Sequence, residues 1–210
     1  MTARCQTAIL ISGRGSNMQA LIEAAKAPDY PAQVVLIVSN RPDAAGLEFA
    51  ASQGITTVAI DHKAFASRAD FDRELDEALK AHGIELVALA GFMRIFDPQF
   101  AKRWQGRMIN IHPSLLPAYP GLNTHQRALA DGATEHGCSV HFVIPELDAG
   151  PVIAQGRVIV RPDDTETSLA ARVLKVEHQL YPRALAAVAS GLVRLEDGRA
   201  VGADQVADLD

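Results

Sequence analysis

Four short stretches of the chain carry residue types that do chemistry. Residues 108–112 read Met-Ile-Asn-Ile-His, an apolar strand with Asn110 and His112 two positions apart. A strand turns its side chains over at every second residue, so both project from one face. Pro113 cannot extend a ladder, and Pro117 and Pro120 stiffen the loop behind it. An amide donor and an imidazole held at a strand end stabilise developing charge or pass a proton; the alternative reading is a buried polar pair. The second stretch is Gly13-Arg14-Gly15-Ser16-Asn17. Glycines ahead of a helix let backbone amides approach a phosphate, although such a loop also serves simply as a turn. Met18 stands where a dinucleotide fingerprint has its third glycine, and Ser39-Asn40-Arg41 offers no acidic group for a ribose, which argues against a nicotinamide cofactor.

The third stretch is Glu146-Leu147-Asp148-Ala149-Gly150. Asp148 either faces His112 as a carboxylate partner or bonds its own backbone as a turn residue, while Glu146 reads as a solvated charge. The fourth, His136-Gly137-Cys138-Ser139-Val140-His141, holds three ligand types at the spacing of no common zinc site and without a clear fourth ligand, so no metal is expected. His62 and His82 read as surface residues at helix ends, Phe100 and Trp104 as core. There is no Gly-x-Ser-x-Gly elbow of a serine hydrolase.

These residues need elements to hold them. Continuous apolar runs place strands at 7–12, 33–39, 56–60, 85–90, 108–112, 138–144 and 152–160. Helical spacing places helices at 18–26, 43–53, 68–82, 98–104, 125–131 and 166–190, with a short last strand at 192–195. Strand–helix alternation over the first 110 residues implies an α/β fold, an open doubly wound mostly parallel sheet with helices on both faces. Ligands of such sheets sit beyond the carboxyl ends of the strands. The glycine loop, the turn Gly91-Phe92-Met93-Arg94 and the Asn110/His112 pair all converge on that rim. One domain over 1–210 is expected, with a phosphate-binding half at about 7–110, a second half at about 111–195, and a polar, weakly patterned tail at 196–210.

Composition narrows the class. The chain has 210 residues, is 48% hydrophobic and carries a net charge of −5, so it has material for one core and no positive field for nucleic acid or an anionic membrane. Cys5 and Cys138 are too few for a disulfide framework, and no apolar run approaches the length of a membrane span or signal peptide. A cytoplasmic protein is expected, with neither nucleic-acid nor membrane partners.

Taken together, the motifs resemble one family. Gly15-Ser16-Asn17, Ala90-Gly91-Phe92-Met93-Arg94, the block from Asn110 to Pro117 and Glu146-Leu147-Asp148-Ala149-Gly150-Pro151 occur in the order and spacing of folate-dependent formyltransferases. The block Tyr119-Pro120-Gly121-Leu122 with Thr124-His125 resembles the phosphoribosylglycinamide formyltransferases in particular. Arg14 and Phe96 depart slightly from the family pattern, away from the chemistry. The resemblance implies transfer of a formyl group from 10-formyltetrahydrofolate, a cosubstrate, to the amine of 5-phosphoribosylglycinamide, with no metal. It implies that Asn110 donates to the oxyanion, that cationic His112 stabilises or protonates it, and that Asp148 pairs with His112 and helps move the amine proton. It also implies that Gly15, Ser16 and Asn17 hold the substrate phosphate and Glu177 its ribose. Met93, Arg94, Ile95, Phe96, Val143 and Leu147, with Asn110, would line the folate pocket, and Arg68 would lie on the folate side of the cleft. The second half then becomes the folate-binding and catalytic half, and the chain a monomer or homodimer. Formyl transfer to another amine, or a nucleotide-binding module without catalysis, are the competing readings. The second has no need for Asn110, His112 and Asp148 together.

Overall fold

The computed structural model describes residues 3–206 and 208–209. Strands β1 (Cys5–Ile11), β2 (Ala32–Ser39), β3 (Thr56–Ala59), β4 (Leu86–Leu89), β5 (Met108–His112), β6 (Glu135–Phe142) and β7 (Val152–Ile159) form one sheet in the order β3-β2-β1-β4-β5-β6-β7. The first five in that order run parallel, and β6 and β7 pair antiparallel. The helices are α1 (Ser16–Ala24), α2 (Ala45–Ser52), α3 (Arg68–Ala81), α4 (Pro98–Arg103), α5 (Thr124–Ala130) and α6 (Glu166–Ala189).

The strand residues sort themselves by alternation onto two cores. Ile9 and Ile11 of β1 join Met18, Leu21, Leu180 and Tyr181 under α1 and α6, whereas Ala8 and Leu10 join Phe71, Leu75, Phe100 and Trp104 under α3 and α4. The expected doubly wound sheet with helices on both faces is present, and Phe100 and Trp104 are core residues as anticipated. Chain order turns back at β1: β2 and β3 add on one side of it and β4 and β5 on the other. The carboxyl rim beside this reversal is where such sheets bind ligands.

Three of the differences from expectation have identifiable physical reasons. Helix α1 begins at Ser16 rather than 18 because Gly15 takes a left-handed conformation (φ 69°), which places Ser16 and Asn17 in the first helical turn. Strand β6 begins at Glu135 rather than 138, because Gly137 is a strand residue and not a break. A Cβ at Gly137 would lie 1.9 Å from the Gly156 carbonyl oxygen of β7, so only glycine lets these two strands close. Gly137→Ala is therefore expected to lower the unfolding free energy by about 3 kcal/mol or more, read as a shift in the urea midpoint; an unchanged midpoint contradicts the close approach.

The polar tail is the third. Its strand lies at β8 (Arg194–Glu196) and pairs with β9 (Arg199–Val201) in a separate hairpin turned at Asp197 and Gly198, both at positive φ. Beyond it Leu209 bridges Gly156, so the segment at 208–209 lies along the outer edge of β7.

Candidate active site

On β5, Met108 belongs to the core under α3 and α4, so Asn110 and His112, at the same strand parity, look to that side of the sheet. The helices stop short of this corner and leave a cleft lined by Leu89, Phe92, Arg94, Phe96, Asn110, His141, Val143 and Asp148 among others. Asn110 sits directly opposite His141 on β6, and its Nδ2 lies 3.2 Å from His141 Nε2. His141 Nδ1 lies 2.9 Å from the Phe142 carbonyl oxygen, which only accepts, so Nδ1 carries the proton and Nε2 accepts from Asn110. Burial lowers the His141 pKa and keeps the ring neutral. The orientation of the Asn110 amide is thereby set, leaving its second N–H for the cleft.

His112 is 5% exposed. Its Nε2 donates to the Tyr119 carbonyl at 3.0 Å, and its Nδ1 stands 3.5 Å from Asp148 Oδ2. Asp148 reaches this place at φ 50°, a conformation that aspartate adopts more readily than most residues. Its Oδ2 accepts from Gly121 N at 2.8 Å and its Oδ1 lies 3.8 Å from His141 Nε2. The three residues named from sequence are thus assembled at one corner, and His141 is a fourth member. Its membership had a signal: a polar residue in an apolar strand, one of the three considered as zinc ligands. His136 and Cys138 take the opposite strand parity, and among the described residues no cluster of three or more His, Cys, Asp or Glu is arranged for a metal.

The rest of the expected site divides. Arg94, Ile95, Phe96, Val143 and Leu147 line the cleft with Asn110. The Arg94 guanidinium lies 4.9 Å from the centre of the Phe71 ring, which stacks on Phe92. Beneath them burial pushes the Asp72 carboxyl up to about 6, against the bond it accepts from Asp97 N and the charge of Arg94. Met93 does not line the cleft; it is 65% exposed, and its backbone N–H donates to Ser12 Oγ, tying the turn to the end of β1. Arg68 also lies outside the lining, exposed in the first turn of α3. His62 is half-buried rather than a surface residue, with Nδ1 2.8 Å from Asn40 O, whereas His82 is exposed.

On the other side of the rim, Gly15 caps α1 and the Gly13 carbonyl accepts from Gly46 N at 3.1 Å. A Cβ on Gly46 would come within 2.5 Å of Ile11 Cδ1 and 3.0 Å of Gly13 O, so this glycine of α2 lets the helix press against the loop. Asn17 Nδ2 donates to Glu177 Oε2 of α6 at 2.7 Å, joining two residues 160 positions apart. Both are buried, burial raises the Glu177 pKa against that bond, and Asn17 Oδ1 has no hydrogen-bond partner among the described residues.

His125 and His136 meet behind the loop at 3.1 Å. Burial, then the neighbouring His125, holds His136 at about 4, and burial lowers His125 too. Both folded-state values lie below the unfolded value of about 6.5, so the unfolded chain binds more protons between them. The contribution of this pair to stability is therefore expected to be complete above about pH 6.5 and to fall as pH drops toward 4, while Asp72, raised to about 6, slopes the opposite way over that range. Urea titrations of the native chain and of His136→Asn across this range check it: the native chain's advantage should shrink as pH falls toward 4, and a difference that does not change with pH contradicts it.

Residues 5–185 match the family model described as Formyl transferase. The chain is 47% identical over 192 residues to the phosphoribosylglycinamide formyltransferase of Escherichia coli K12, covering 91% of each. It is also 47% identical over 197 residues to the trifunctional purine biosynthetic protein adenosine-3 of Bos taurus, but spans only 20% of that relative's length. The solved phosphoribosylglycinamide formyltransferase of Coxiella burnetii superimposes with a TM-score of 0.90 at 42% identity, over 99% of this chain and all of that one. No helix among the described residues is long and apolar enough to cross a membrane. The chain belongs to the formyl transferase family, within its phosphoribosylglycinamide formyltransferases.

Proposed function

We propose that this protein transfers the formyl group of 10-formyltetrahydrofolate to the amine of 5-phosphoribosylglycinamide, a step of purine biosynthesis. The observation that carries the reading is the convergence of Asn110, His112 and Asp148 at one corner, Asn110 and Asp148 lining the cleft and His112 buried behind Asn110, in a chain of this family. The nucleophile belongs to the substrate, so no activated serine or cysteine is needed. The neutral amine attacks the formyl carbon, a C–N bond forms and the carbonyl oxygen takes the charge. The second Asn110 N–H, free of His141, is the donor for that oxyanion. The His112 ring, held through Nε2 by the Tyr119 carbonyl, stands beside it with Nδ1 toward Asp148. The 3.5 Å gap is longer than a hydrogen bond and closes when the proton on that edge is shared. Collapse breaks the bond to the folate nitrogen; the amine proton leaves by way of Asp148, and the folate nitrogen is protonated.

The folate ring lies in the cleft between Arg94, Ile95, Phe96, Val143 and Leu147, while Met93 and Arg68 act at its margin. The substrate phosphate lies on the amides of Gly15, Ser16 and Asn17 at the start of α1, where the helix dipole favours an anion. Glu177, held by Asn17, takes the ribose hydroxyls. The location is the cytoplasm, and the protein works as a monomer or homodimer over one domain, 1–210. A coupled assay for formyl transfer to 5-phosphoribosylglycinamide tests the reading. Transfer is expected, with the dephosphorylated substrate binding at least about a hundredfold more weakly by calorimetry. Absence of transfer overturns the activity, and equal affinity overturns the phosphate site.

A further inference from the structure

His112, Ser139 and Gln155 form one row across three neighbouring strands, His112 opposite Ser139 and Ser139 opposite Gln155. Facing residues of antiparallel strands share a face, so the three side chains line up beneath the proline loop. The loop is bonded to this row. Ser139 Oγ donates to Ser114 O at 2.7 Å and accepts from Leu116 N at 3.0 Å. Gln155 Nε2 lies 2.9 Å from Leu116 O and 2.8 Å from Ser139 Oγ, reaching both with its amide. Three residues further along the loop is the Tyr119 carbonyl that fixes His112 Nε2.

Gln155 is itself held from the outer side of the sheet. Its N–H donates to Asp208 Oδ1 at 2.8 Å, its carbonyl accepts from Leu209 N at 3.0 Å, and Arg157 N donates to Leu209 O at 2.6 Å. The segment at 208–209 thus supplies partners to what is otherwise the bare edge of β7.

We propose that Gln155 is a positioning residue for His112, acting through the loop it pins, and that Asp208 and Leu209 hold Gln155 in place. The segment at 208–209 is thereby part of the support of the catalytic corner. This rests on the reading of Asn110, His112 and Asp148 as the formyl-transfer site. Loss of the Gln155 amide frees Leu116 O and lets Tyr119 O drift from Nε2, and a displacement of an ångström is enough to misalign a proton donor.

Gln155→Met keeps the length and removes the amide. In the full chain its kcat is expected to fall about tenfold to a hundredfold, with KM for both substrates within about twofold. The His112 Nε2 resonance should move in the NMR spectrum, a signal that a purely structural role leaves alone. Asp208→Ala should show a smaller fall of the same kind, and Asp208→Asn, which keeps the accepting oxygen, should recover it. A folded Gln155→Met with unchanged kcat and unchanged His112 resonance overturns the proposal. If Gln155→Met does not fold, the Asp208 pair decides, and equal turnover of the two Asp208 variants overturns it. If the native chain transfers no formyl group, the reading of the site has failed, and the His112 resonance still decides whether Gln155 positions the ring.

Discussion

Replacing His112 by alanine lowers kcat about a thousandfold and leaves KM for both substrates within about a factor of three. The asymmetry follows from where the ring sits. His112 is buried behind Asn110 and is not among the residues that line the cleft, so little ground-state contact is lost with it. What disappears is the group between the Tyr119 carbonyl and the Asp148 carboxylate. In the ground state the formyl oxygen is neutral and hardly interacts with the ring; charge arrives there only as the tetrahedral species forms, so the interaction belongs to the transition state. The variant leaves Tyr119 O without its donor at a cost to folding of about 1–3 kcal/mol, small enough for the protein to be purified and assayed. Steady-state kinetics with an unfolding curve on the same preparation separates the two effects. Turnover within about twofold of the native chain removes His112 from the chemistry.

Asn110 and His112 were legible in the sequence because a strand imposes a period of two, and two polar residues in step within an apolar run must share a face. The glycine loop was legible because strand, glycines and helix follow one another locally, although the start of α1 depended on the backbone angle of Gly15. Asp148 is 36 positions from His112, and no periodicity relates a loop to a strand at that distance. Its place is set by β6, which carries the loop back to β5; the loop residues alone left a partner of His112 and a turn aspartate both open, and the family resemblance favoured the first. His141 was hidden for the opposite reason: its company with His136 and Cys138 drew attention to a metal, when strand alternation sends it to the other face. Gly46 and Gln155 gave no signal, since the value of a missing Cβ or of a side-chain amide depends on what lies across the sheet. The tail does carry a signal: Asp197-Gly198 is a hairpin turn pair, and β8 and β9 close on it.

Asp148→Asn is expected to lower kcat about a hundredfold while the protein keeps its stability to within about 1 kcal/mol, and the contrast with Asp148→Ala shows why. Residue 148 sits at φ 50°, where asparagine and aspartate are the most tolerant of the residues with a Cβ and alanine costs about 1 kcal/mol. Asparagine also keeps an oxygen to accept from Gly121 N, so the loop from Tyr119 to Gly121 stays attached to the corner. What it removes is the charge opposite His112 Nδ1, at 3.5 Å, and near His141 Nε2, at 3.8 Å. At these separations, with the side chains of all three groups less than a tenth exposed, an ion pair is weakly screened, so the carboxylate favours positive charge on His112 as the oxyanion forms. The amide that replaces it offers N–H groups and no charge, and the amine proton loses its acceptor. Alanine loses these same functions and the Gly121 bond as well, so Asp148→Ala should match asparagine in kcat but melt earlier by several degrees. Asparagine with near-native turnover would mean that the carboxylate only anchors the loop; alanine as stable as asparagine would mean that it does not anchor it.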